Sequence, residues 1–147
     1  MAEGILRSMI GSELSRQVEV RSAGTMAPEG LPATTLAVQT AAEHGIDIRR
    51  HRATLLTPAL LRESDLVLCM ELEHVARALM LAPEAADRIR LITQPNGEAG
   101  SAAEAGVRDP IGGSAKAYGE TFDRIQTHLA RWLPWIREAA GRSEGVR

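Results

Sequence analysis

An α/β fold, a three-layer arrangement in which a small parallel sheet has helices on both faces, is predicted by three features of this chain. Strand-like and helix-like segments alternate along it, the pattern that builds parallel sheets. One segment, Asp65-Leu66-Val67-Leu68-Cys69-Met70, is a continuous apolar run, as expected of a strand buried on both faces. The 147 residues, 44% hydrophobic with net charge −2, suit one globular domain with its own core.

The elements follow in order. Met1, Ile5, Met9 and Ile10 recur at helical spacing, so residues 1–14 are expected to form an amphipathic helix. Gln17-Val18-Glu19-Val20-Arg21 alternates polar and apolar, as a short strand does. Ser22-Ala23-Gly24-Thr25 ends that pattern, and Pro28, Gly30 and Pro32 extend a loop. Ala-rich residues 33–44 predict a helix stopped by Gly45. A basic connector with Arg49, Arg50, His51 and Arg52 leads to Thr57-Pro58, an N-cap followed by a first-turn proline, which opens a short helix through Arg62. After the apolar strand 65–70, residues 71–81 read as helix and 88–92 as strand. Gln94-Pro95-Asn96-Gly97 is turn chemistry, and the Gly/Ala/Ser/Glu-rich stretch through Gly106 is expected to be mobile. Phe122, Ile125, Leu129, Trp132 and Ile136 hold a helical period within 114–140, where Pro134 should kink the end. The expected division is one domain over 1–140 and a disordered tail over 141–147. The order is odd in one respect: a helix comes first, where a βαβ unit wants a strand.

Composition excludes several classes. Near-neutral charge argues against nucleic acid as a partner, because phosphate-backbone binding needs clustered Lys and Arg. No apolar run reaches the ~20 residues that span a bilayer, so no membrane partner is expected, nor is a signal peptide visible. A single cysteine fits a reducing, cytoplasmic setting. His44, His74 and His128 lie in predicted helices without metal-like partners, so neither metal nor other cofactor is expected.

Few residues suggest chemistry by themselves. Asp109-Pro110 closes the flexible loop before the last helix, a place suited to a general acid. Taken alone, the pair reads more readily as a turn opener. Cys69 is the one thiol. A phosphate cradle needs an Arg six residues after its Cys, to fork two oxygens, but position 75 is Val75. Cys69 is therefore expected to be a buried strand-end cysteine.

Several segments together resemble the low-molecular-weight protein tyrosine phosphatase family: Met1-Ala2-Glu3-Gly4, Ser22-Ala23-Gly24-Thr25, Gly45-Ile46-Asp47 with His51 following, Asp65 to Glu71, and Asp109-Pro110 running through Tyr118 into the final helix. They match in order over nearly the whole chain, to about Ile136. The resemblance implies that Asp109 is the general acid that protonates the leaving phenolate. It implies that Ser22 and His51 support the phosphate loop, roles that would otherwise be read as a turn serine and a surface histidine. Pro28 and Ile111 match the walls of the family's ring slot, with Tyr118 as a further contributor. The expected substrate is a phosphotyrosine protein or a small aryl phosphate, with inorganic phosphate as product and ligand.

In the family a central strand and a Cys-x5-Arg loop precede the Met-Ala-Glu segment, and here that segment begins at Met1. The resemblance therefore implies that roughly fifteen to twenty residues, one strand and one loop, lie outside the written sequence. A start assigned at an internal Met is the simplest origin, with the loop restored in frame upstream. Without the attacking thiolate, turnover is expected to fall on the order of 10⁴–10⁶-fold, by analogy with other deleted nucleophiles. Unpaired strand edges at ~1–3 kcal/mol per buried group would also leave the polypeptide unstable. The alternatives are a non-catalytic anion- or partner-binding remnant and, less favoured because its relay needs further cysteines, an arsenate reductase.

Overall fold

The computed structural model describes residues 1–95 and 106–144. Asn96, Gly97 and most of the Gly/Ala-rich stretch lie outside them, as do residues 145–147. Two compact units are formed, one from Met1–Ser22, Ala33–Arg50 and Gly112–Arg147, the other from Ala23–Pro32 and His51–Ile111.

The first unit is helical. Helix α1 (Ala2–Leu14) buries Ile5 and Ile10, the inner edge of its predicted stripe. It is broken where the periodicity predicted continuity: Gly11 sits at φ 68, ψ −178, which only glycine adopts at little cost. Helix α2 (Thr35–Glu43) starts after Thr34, whose hydroxyl accepts from the Ala37 N–H at 3.3 Å. Gly45, at φ 74, follows its end as expected. The long helix α5 (Ala115–Glu144) continues past the predicted end at Ala140 and carries Pro134 within it. Phe122, Ile125, Leu129, Trp132 and Ile136 are all buried, and α1 and α2 both pack on this helix. One core cluster joins Ala37, Ala41, Ile48 and Tyr118. The His44 ring stacks on Phe122 at 3.8 Å between centroids.

Among the described residues, the expected strand over 17–21 forms no ladder. The Val18 N–H bonds back to the Leu14 carbonyl at 2.9 Å, and the Arg7 guanidinium donates to the Val20 carbonyl at 2.6 Å. A strand exists as such only by pairing, and here the end of α1 and a side chain supply these contacts instead.

The second unit holds the sheet. Strand β1 (Val67–Cys69) pairs in parallel with β2 (Ile89–Leu91), in the register Val67 with Ile89, Leu68 with Arg90 and Cys69 with Leu91. Helix α4 (Leu72–Leu81) and a 3₁₀ turn at Pro83–Ala85 make the crossover. Helix α3 (Pro58–Glu63) precedes β1, capped by Thr57 as its sequence predicted: the Thr57 hydroxyl accepts from Leu60 N–H at 3.3 Å. Leu61, Cys69, Ala78, Ala82, Ala85 and Ile89 form the core. Both strands are shorter than predicted. Val67 and Leu68 are only half-buried, because among the described residues β1 pairs along one edge, with β2. Residues 23–32 lie against 51–56 through Gly24 N–H to Thr54 carbonyl and Ala53 N–H to Leu31 carbonyl bonds, at 2.9 and 2.8 Å.

Candidate active site

Asp109 is exposed, on a turn built from its own side chain: Oδ1 accepts the Ile111 N–H at 2.9 Å. Such a turn follows from the residue type, since a short carboxylate reaches the amide two residues on. Its other carboxylate oxygen makes no part of that turn. Ile111 is 70% exposed and Pro28 is also exposed, so both offer apolar surface. These three residues and the half-buried His51 belong to the second unit.

Ser22 and Tyr118 belong to the first. Ser22 Oγ donates to Glu3 Oε2 at 2.6 Å, and Glu3 Oε1 pairs with Arg7 Nε at 3.0 Å. Ser22 is thus tied to the first turn of α1. Tyr118 is only 4% exposed, and its hydroxyl accepts from Thr34 Oγ1 at 3.1 Å. Its ring is committed to the core of that unit rather than open as a slot wall, because the first turn of α5 faces Ala37, Ala41 and Ile48.

Cys69 is 7% exposed, and burial pushes its thiol up to about 11. At neutral pH roughly one molecule in ten thousand would carry the thiolate, which is the nucleophilic form. Its neighbours are aliphatic, and Val75 occupies the place where a cradle would need Arg.

Glu71, Glu73 and His74 bring three donor atoms within 4.8 Å of one another, the only such group among the described residues. Nothing in their predicted placement in a helix announced it. The group is a helix cap before it is anything else. The Glu71 N–H donates to His74 Nδ1 at 3.2 Å, while the Glu71 carboxylate accepts from the His74 backbone N–H. With Nδ1 accepting, the neutral ring carries its proton on Nε2, so neither nitrogen turns a lone pair to the carboxylates. The donor set therefore does not fit a metal.

Two partners escaped the sequence pattern. Glu3 was read only within the Met1-Ala2-Glu3-Gly4 segment, and Thr34 only as part of the predicted helix 33–44. The N-cap preference of Thr was the signal available for the second.

The α/β order and the small parallel sheet are the features that comparison with known proteins places in a family. The low molecular weight phosphotyrosine protein phosphatase family matches residues 1–142, and the chain belongs to that family. It is similar to the probable low molecular weight protein-tyrosine-phosphatase EpsP of Ralstonia nicotianae, at 33% identity over 137 residues, 90% of each chain. Among solved structures it resembles the low molecular weight protein tyrosine phosphatase of T. tengcongensis, with TM-score 0.79 and 35% identity over 90% of this chain and 87% of that one. It also resembles Vibrio vulnificus Wzb in complex with benzylphosphonate, with TM-score 0.74 and 28% identity over 89% and 85%. No helix among the described residues is long and apolar enough to cross a membrane.

Proposed function

We propose that this chain acts in phosphotyrosine-ester hydrolysis, with Asp109 as the general acid. The observation that supports this most is the exposed Asp109 carboxylate, held on its own turn beside the apolar Ile111. In this reading a Cys thiolate attacks phosphorus and Asp109 hands its proton to the departing phenolate oxygen. The carboxylate then accepts a proton from the water that hydrolyses the phosphocysteine. Pro28 and Ile111 flank the aryl ring, and Ser22 and His51 hold the phosphate loop. The benzylphosphonate bound by the Vibrio relative, a benzyl group on a phosphonate anion, is the chemistry such a slot would take.

Cys69 is not the nucleophile. Its burial and its neutral thiol oppose attack. The cytoplasm is the compartment proposed, since the scheme needs a free thiolate. The test is hydrolysis of p-nitrophenyl phosphate by the 147 residues and by a form extended ahead of Met1 with a strand and a Cys-x5-Arg loop. The extended form should turn over and the shorter one should not. Turnover by the shorter chain, abolished in Cys69→Ser, would overturn the assignment. Phosphate binding with no turnover in either form would favour a non-catalytic anion-binding role.

A further inference from the structure

Among the described residues of the second unit, the backbone that carries Asp109 is anchored through Gly106 and Val107. Val107 N–H donates to the Met70 carbonyl at 2.7 Å, and Gly106 bridges Glu71 in antiparallel fashion. The Val107 side chain is 3% exposed, so it is a buried peg, whereas Arg108 and Asp109 emerge at the surface. The general-acid position is thus held two residues from a fixed point. That fixed point is the segment joining β1 to α4, which is itself tied by hydrogen bonds. Cys69 accepts at its carbonyl from Ile92 N–H at 2.9 Å, and Glu71 is locked in its reciprocal cap with His74.

Gly106 makes the approach possible. It sits at φ 127, a conformation that side-chain-bearing residues rarely adopt. A Cβ there would be driven into the Met70 carbonyl oxygen and would lie 3.1 Å from the Glu71 Cα. Neither obstacle can yield, because both are backbone.

We propose that Gly106 and Val107, docked on Met70 and Glu71, form a latch that positions Asp109 for proton donation. The proposal rests on the general-acid reading above and extends it to residues that touch no substrate. A residue that merely stabilised the fold would change melting without moving the Asp109 turn. A latch must move the turn, and the Ile111 amide proton reports on it directly through its bond to Asp109.

The test uses the ¹⁵N-labelled 147-residue chain. Asp109→Asn should shift the Ile111 amide resonance, since an amide oxygen is a weaker acceptor than a carboxylate. Gly106→Ala should shift the same resonance and leave the amides of α2 and α5 in place. Should Gly106→Ala give no folded spectrum, Val107→Ala decides on the same signal, with Val107→Ile expected to restore it. An unmoved Ile111 amide in a folded latch variant would overturn the proposal. The acid reading fails separately. In the extended form, Asp109→Asn should slow phenyl phosphate more than p-nitrophenyl phosphate, and Gly106→Ala should repeat that bias. If Asp109→Asn slows neither, the catalytic purpose of the latch is lost, though the Ile111 shift would still locate the latch itself.

Discussion

Asp109 shows how little of a proposed role a residue's own type reveals. Its carboxylate sits on a turn that any Asp-Pro sequence favours, and the order of the surrounding segments, not the pair, is what suggests an acid there. In the extended form, Asp109→Asn is expected to lower kcat for phenyl phosphate by about 10²-fold or more, with a smaller loss for p-nitrophenyl phosphate, whose leaving group needs no proton. Rates measured across phenols of graded basicity would check this. Cys69 gives a second residue-scale prediction. Burial raises its thiol from 9.0 to about 11, so between those values the unfolded chain gives up a proton that the folded chain keeps. Its contribution to stability is therefore intact below pH 9 and is lost as pH climbs towards 11. Urea midpoints of the wild type should fall across that window, and those of Cys69→Ala should fall less. Asp47 bends the opposite way: hydrogen bonds from the Arg49 guanidinium and backbone N–H hold its carboxyl well below the usual carboxylate range.

At the scale of elements, caps and breaks carry the information. Thr57 was legible because Pro58 follows it at the first helical position. Thr34 was not, because its second role, donating to the Tyr118 hydroxyl, joins residues far apart in the chain. Thr34→Ala should lower unfolding free energy by about 1–2 kcal/mol, from a lost cap and a hydroxyl contact together. Thr57→Ala, which loses a cap alone, should cost about 1 kcal/mol. Chemical denaturation with unchanged m-values would distinguish the two. The break in α1 at Gly11 was illegible for another reason: glycine inside a helical pattern is tolerated often enough that the apolar stripe masks it. The segment 17–21 had the right alternation for a strand, but α1 and Arg7 took up its backbone bonds at Val18 and Val20.

Considered over the whole molecule, stability is divided between two cores. One is dominated by the buried stripe of α5, the other by small residues, Ala78, Ala82 and Ala85, around Cys69 and Leu61. The largest fully buried side chain is Trp132, at 1% exposure. Trp132→Ala should cost about 3–5 kcal/mol, a large part of the roughly 5–15 kcal/mol that holds a domain together. Thermal unfolding followed by circular dichroism should show a drop in Tm well beyond that of any cap variant. A change near zero would mean that the α5 stripe is not the centre of its unit.

The sequence by itself determined the class of fold, the position of every described helix longer than one turn, the buried face of α5 and the place of Asp109 in the chain. These are local or periodic properties, written in spacing and residue type. Only the tertiary structure decided which extended segments became strands, that Tyr118 turns inward, that Ser22 is held by Glu3, and that Gly106 meets Met70. Each of these depends on which backbone or side-chain partner arrives from elsewhere in the chain, and hydrogen-bond pairing over long sequence separation leaves no periodic trace.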